Sequence, residues 1–197
     1  MTSVDTSVEL VVDRLILNRM IPKYQFERAV EPFLSLFIEE ALERSLGHSL
    51  EFVVAELPLK KPNNAQSTNV DYLFREATGD WLLVELKTER AVVRPQQIEI
   101  YESRVGSLFR DVVSPIEEIQ KASRQKKKYG QLLVELNKYR PHDGKINVMY
   151  VTPHKKSPIQ TKSTKIQWRS FDDLFENFES KAHPELWQIV SRLVDAI

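Results

Sequence analysis

The chain of 197 residues contains no cysteine, so it forms neither a disulfide bond nor a thiolate metal site. Its five glycines are too few for a phosphate-cradling loop, and no dinucleotide fingerprint or Gly-x-Ser-x-Gly elbow is present. The four histidines lack the spacing of zinc ligands. These absences exclude the patterns typical of nucleotide-binding loops, serine hydrolases and zinc sites.

No charge of one sign dominates, because 28 basic residues balance 28 acidic ones. A surface that binds nucleic acid would therefore have to be local. The chain also lacks an apolar run of about 18 residues, and its N-terminus lacks a basic start followed by an apolar stretch. We expect no membrane span, no signal peptide and a cytoplasmic location, with which the absence of cysteine is compatible.

The apolar periodicity predicts an alternation of helices and strands. The order is helix, three strands, helices, two strands and helices, which indicates an α/β fold with a mixed central sheet flanked by helices. Predicted helices cover 6–19, 24–46, 95–110 and 114–139, a short helix follows 170, and the last begins at 184; predicted strands cover 51–57, 68–76, 81–87, 147–151 and 166–169.

Two carboxylates and an amine fall on neighbouring predicted strands. Side chains two apart on a strand share a face, so Glu85 and Lys87 point to one face of the strand. Leu82, Val84 and Leu86 point to the other face. The turn at 78–80 joins this strand to the preceding one and can bring Asp71 beside Glu85. Such a cluster is costly to bury unpaired, and a hard divalent cation explains it most easily.

These three residues resemble the motif of the PD-(D/E)xK nuclease superfamily, although Val70 stands where the motif has proline. Gln97 and Tyr101 on the next helix look like the QxxxY motif of the RecB-like branch. The resemblance implies a restriction-endonuclease-like core over about 24–152. A strand and helices over 164–197 would complete a single domain spanning 1–197.

The resemblance also implies a metal-dependent phosphodiesterase. Asp71, Glu85 and the Leu86 carbonyl would bind Mg²⁺, for which Mn²⁺ is a usual substitute. Lys87 would act on the attacking water or on the phosphate. The alternative for the same residues is a solvated salt bridge between Lys87 and Asp71, worth under about 1 kcal/mol.

Further site residues follow from the same resemblance. The family adds an acid from the N-terminal helix, and a helical wheel over 24–46 favours Glu40, with Glu27 and Glu31 at the opposite boundary. Gln97 and Tyr101 would order the site, and their alternative is a surface glutamine with a half-buried tyrosine. A rival pair with the same spacing occurs at 125 and 129.

Clustered lysines offer local positive charge, and we expect Lys126, Lys127, Lys155 and Lys156 to contact phosphates. The alternative for such a run is a solvated surface. The sequence therefore predicts a nuclease acting on nucleic acid, with DNA as the expected substrate, and it is compatible with a homodimer. The alternatives are an inactive nucleic-acid-binding or protein-interaction domain of the same fold, and a small α/β module without a nucleic-acid role.

Overall fold

The structure, a computed structural model, describes residues 3–61, 67–88, 94–153 and 165–197. It is an α/β fold in which helices flank a mixed sheet of five strands, as predicted. No helix within the described ranges is both long and apolar enough to cross a bilayer. The strands are β1 (Leu50–Lys60), β2 (Ser67–Glu76), β3 (Trp81–Leu86), β4 (Ile146–Thr152) and β5 (Gln167–Ser170). The helices are α1 (Ser3–Asn18), α2 (Phe26–Leu34), α3 (Ile38–Leu46), α4 (Pro95–Glu102), α5 (Arg110–Ala122), α6 (Lys126–Asn137), α7 (Phe171–Phe175) and α8 (Pro184–Asp195).

The strands follow their chain order across the sheet, β1-β2-β3-β4-β5. The first three are antiparallel, and β3, β4 and β5 are parallel. Gly79 makes the β2–β3 turn with a φ of 89°, a left-handed conformation that favours glycine. In this topology the start of β2 and the ends of β1, β3 and β4 lie together at one end of the sheet. The predicted carboxylates lie at this end.

The two faces of the sheet carry separate hydrophobic cores. Leu82, Val84 and Leu86 pack under α1, α2, α3, α7 and α8, as the alternation in β3 predicted. Trp81 and Leu83 face the opposite way, under α4, α5 and α6. Each fully buried aliphatic side chain of this kind contributes about 1.5–3 kcal/mol. The strand that carries Glu85 is therefore fixed from both sides.

The predicted helix over 24–46 is two helices. Helix α2 ends at Leu34 and α3 begins at Ile38. Pro32 lacks the amide hydrogen that a helix residue donates to the carbonyl four positions earlier, so it weakens the last turn of α2. The Ser35 hydroxyl then binds the Pro32 carbonyl at 2.8 Å, and the Phe37 amide binds the Leu34 carbonyl at 2.9 Å. The faces of α2 and α3 are therefore set independently.

Two other predicted helix boundaries were wrong. The helix that begins at Pro95 ends at Glu102 and not near 110. The segment 114–139 belongs to two helices, α5 and α6, separated at 123–125. Ser114 lies inside α5, which already begins at Arg110, and its hydroxyl donates to the Arg110 carbonyl at 3.0 Å.

Candidate active site and metal centre

Asp71 and Glu85 lie on adjacent antiparallel strands, at the end of the sheet where β2 begins and β3 ends. The paired register of β2 and β3 runs from Arg75–Trp81 to Tyr72–Val84. At the next position the Asp71 side chain takes part directly, since its Oδ2 accepts the Leu86 N–H at 2.6 Å. The hairpin thus brings Asp71 to the end of β3. Whether the Leu86 carbonyl binds a cation stays a prediction.

Glu85 is held by three donors although its side chain is only 2% exposed. The Gln97 amide donates to Oε1 at 2.6 Å, and the Tyr101 hydroxyl donates to Oε2 at 2.6 Å. The Lys87 ammonium lies 2.5 Å from Oε1. Gln97 also donates to the Tyr101 oxygen at 2.9 Å. The predicted pair on α4 therefore contacts the predicted carboxylate and fixes its orientation.

The rival pair does not reach this site. Gln125 stands at the N-cap position of α6, where its side chain makes no capping hydrogen bond, and Tyr129 packs against the core under α4, α5 and α6. Gln97 and Tyr101 come directly after β3 in the chain, and one turn of α4 places both on the face above Glu85.

The acids of the site disfavour simultaneous ionisation. Burial raises the pKa of Asp71 to about 8, and the charge of Glu85 adds to the effect, against the Leu86 N–H and Lys87. Burial also raises the pKa of Glu85 and outweighs its bonds to Lys87, Tyr101 and Gln97. Burial alone would lower the pKa of Lys87, but Glu85 and the neighbouring acids raise it, so the lysine is charged. A cation would relieve the remaining repulsion.

Two further carboxylates join Asp71. One ligand atom each of Glu31, Glu56 and Asp71 lies within 4.8 Å of the others. Oxygens that bind one cation at 2.0–2.6 Å lie at most about 4–5 Å apart, so the three acids fit a shared ion. Burial, followed by the charges of Glu56 and Glu27, raises the pKa of Glu31. Asn69 donates to Glu56 at 2.7 Å.

A small cavity adjoins these acids. The volume open to the centre of a water molecule is about 10 Å³, so the cavity has room for one water molecule or one small cation. Its lining consists of Glu27, Glu31, Leu34, Asp71, Leu86 and Thr88. The Thr88 hydroxyl is buried and has no hydrogen-bond partner among the described residues, and the same holds for Tyr150, which neighbours Glu85 in the register of β4. Oxygen donors around a cavity of this size fit a single Mg²⁺ or Mn²⁺ ion.

Glu40 does not join the site, which corrects the prediction from the helical wheel. Its carboxylate accepts the Ser180 hydroxyl at 2.8 Å and the Lys181 amide at 2.6 Å. The wheel assumed one continuous helix, whereas Glu40 belongs to α3, beyond the break that follows Pro32. The acids of α2, Glu27 and Glu31, reach the site instead.

Sequence reasoning also missed Glu56. Its φ of 56° is left-handed, a conformation that costs energy in a residue with a side chain and is concentrated at functional sites. Nothing in the strand's alternation signals this distortion. Thr88 was missed as well, and Glu27 was named at the boundary of the helical wheel but not chosen. The positions of both depend on how α2 packs against the end of β3.

The predicted nucleic-acid contacts are only partly described. Lys126 and Lys127 begin α6 and are exposed, as contact with phosphate requires. Lys155 and Lys156 lie outside the described residues.

Comparison with protein-family models, with curated proteins and with solved structures finds no match to this chain. The resemblance to the nuclease superfamily therefore stays a prediction that rests on the motif residues themselves.

Proposed function

We propose that this chain is a metal-dependent nuclease that hydrolyses phosphodiester bonds, with DNA as the expected substrate and the cytoplasm as the expected location. The observation that carries the proposal is the arrangement around Glu85. A buried carboxylate is held by Lys87, Gln97 and Tyr101, and Asp71 lies on the neighbouring strand. A structural salt bridge needs neither the two orienting donors nor the additional acids Glu31 and Glu56.

Each group has a role in this proposal. Asp71, Glu31 and Glu56 form the acid cluster that would hold the cation. Glu85 lies outside that cluster and would add a ligand as the motif predicts, with its oxygens oriented by Gln97 and Tyr101. A bound Mg²⁺ or Mn²⁺ supplies a water of lowered pKa and positive charge beside the scissile phosphate. Lys87 positions that water or stabilises the charge that develops on the phosphate oxygens. The burial of Glu85 keeps competing water away from its oxygens.

The test is cleavage of single-stranded, duplex and branched DNA and of RNA, with Mg²⁺ or Mn²⁺, by the parent protein and by Lys87→Ala. We expect the variant to lose activity by a factor on the order of 100 to 1,000, because one well-placed group in the transition state is removed. Cation binding should not be lost, since an ammonium has no lone pair to donate and is not a ligand.

Lys138→Ala is the matched control, because Lys138 forms an exposed ion pair with Glu135 one turn away on the surface. It should cleave like the parent. Cleavage by Lys87→Ala at the parent rate would contradict the mechanism. Salt-dependent DNA binding by the parent, without cleavage of any substrate, would instead favour the inactive nucleic-acid-binding domain.

A further inference from the structure

We infer that Glu27 is a second docking point for the Lys87 ammonium, and that Lys87 shifts from Glu85 to Glu27 when a divalent cation binds Glu85. Glu27 is then a positioning residue of the site, and it makes no contact with substrate in this scheme. The inference rests on the proposed function, because it concerns the same centre.

The Lys87 ammonium already touches both carboxylates. Its nitrogen lies 2.5 Å from Glu85 Oε1 and 3.5 Å from Glu27 Oε1. The side chain of Lys87 is only 12% exposed, so little water is available to replace a lost carboxylate. An ammonium carries three donors and no acceptor, and it needs an acceptor wherever it is buried.

Glu85 cannot serve a cation and Lys87 equally well. Its Oε1 accepts both Lys87 and Gln97, and its Oε2 accepts Tyr101. A divalent cation that shares this carboxylate repels the ammonium at the same oxygen, and the repulsion is strong where water is largely excluded. Binding of the cation therefore favours the other carboxylate that Lys87 contacts, Glu27.

A backbone hydrogen bond and the packing of α2 hold Glu27 beside Lys87. Its second oxygen accepts the Thr88 N–H at 3.4 Å, so one carboxylate contacts both the Lys87 side chain and the backbone that follows it. Phe26 and Val30, on either side of Glu27 in α2, are fully buried. Glu31 lies one turn further along the same helix and belongs to the acid cluster. Helix α2 thus sets a cation ligand and the docking point of Lys87 together.

The experiment measures Mn²⁺ affinity by calorimetry in the parent and in Glu27→Gln. The amide keeps an oxygen for the Thr88 N–H and removes the charge that attracts Lys87. We expect the affinity to fall ~10 to 100-fold, the usual effect of changing a residue that supports a ligand. The loss arises because Lys87 then competes with the cation for Glu85. The double variant Glu27→Gln/Lys87→Ala has no ammonium and should bind Mn²⁺ like Lys87→Ala alone.

Glu39→Gln is the matched control. The Glu39 carboxylate accepts the Phe52 N–H at 3.0 Å, so it also joins a helix to a strand backbone, whereas Lys87 pairs with Glu85 and Glu27. Its Mn²⁺ affinity should equal that of the parent. Parent-like affinity in Glu27→Gln, or a loss that Lys87→Ala does not remove, would overturn the inference alone. A parent protein that binds no Mn²⁺ would overturn the proposed function and the inference with it.

Discussion

Asp71 is a residue whose burial and hydrogen bonding favour opposite protonation states. Its carboxylate accepts the Leu86 N–H, which favours ionisation, but burial and the charge of Glu85 raise its pKa to about 8 from an ordinary 3.8. Between about pH 4 and pH 8 the folded protein therefore keeps a proton that the unfolded chain has already released. In that window the folded state binds more protons, so stability falls as pH rises.

We expect the cation-free protein to become less stable from pH 5 to pH 8 and then to level off. In Asp71→Asn this decline should be smaller, because asparagine cannot ionise and still offers an oxygen to the Leu86 N–H. At pH 8 the variant should melt a few degrees higher than the parent, since 1 kcal/mol corresponds to about 2–4 °C in a chain of this size. Thermal unfolding in a chelator across this pH range measures the effect. Equal slopes in the two proteins would show that Asp71 does not carry the extra proton.

At the scale of the elements, the helix break after Pro32 decides which acids reach the site. Because α2 and α3 are separate, Glu31 lies beside Asp71 and Glu40 lies beside Ser180. We expect Glu31→Gln to lower Mn²⁺ affinity at least ~10-fold, since changing even a supporting residue commonly has that effect.

Glu40→Gln provides the comparison on α3, as an identical substitution on the neighbouring helix. It should leave Mn²⁺ affinity unchanged and lower stability only slightly, because an amide can still accept one of the two hydrogen bonds from Ser180 and Lys181. Calorimetric titration of both variants decides between the two acids. A loss of affinity in Glu40→Gln alone would restore the prediction made from the continuous helical wheel.

The strand residues of the site could be predicted from the sequence because their signal is local. Alternation alone places Glu85 and Lys87 opposite Leu82, Val84 and Leu86, and the turn at Gly79 sets Asp71 against the end of β3. The spacing of Gln97 and Tyr101 is likewise a property of one helix turn. Each of these features belongs to one strand, one hairpin or one helix turn.

The helix acids could not be predicted, because their positions depend on tertiary packing. Whether Glu31 or Glu40 faces the site depends on the angle between α2 and α3, which the connecting residues 35–37 set. Pro32 could have signalled the break, although a proline in a helix indicates a boundary without giving the new direction. Glu56 gave no signal, because its left-handed φ and its contact with Asn69 are not visible in the sequence pattern of β1.

At the scale of the whole molecule, charge is balanced and any affinity for nucleic acid has to come from local groups. Lys126 and Lys127 are exposed at the start of α6. If both contact phosphates, the Lys126→Ala/Lys127→Ala variant should bind DNA more weakly. The slope of log affinity against log salt should become less steep by about 0.9 for each lost contact.

Fluorescence anisotropy with labelled DNA over a range of KCl concentrations measures this slope. Lys138→Ala serves again as the control, since its partner is Glu135 on the same helix surface. An unchanged slope in the double variant would place the interface elsewhere on the molecule. Cation affinity should be the same in all of these proteins, because none of the changed lysines contacts the acid cluster.

The acids of the candidate centre come from segments that are distant in the chain. Glu31 lies on α2, Glu56 on β1, Asp71 on β2 and Glu85 on β3. An ion bound by all four would close three successive chain loops at one point. It would have to be released before this end of the sheet could separate from α2. It would thus act as a removable cross-link between these segments. Removing the ion with a chelator would make the protein more susceptible to proteolysis, even where the average folded structure is unchanged.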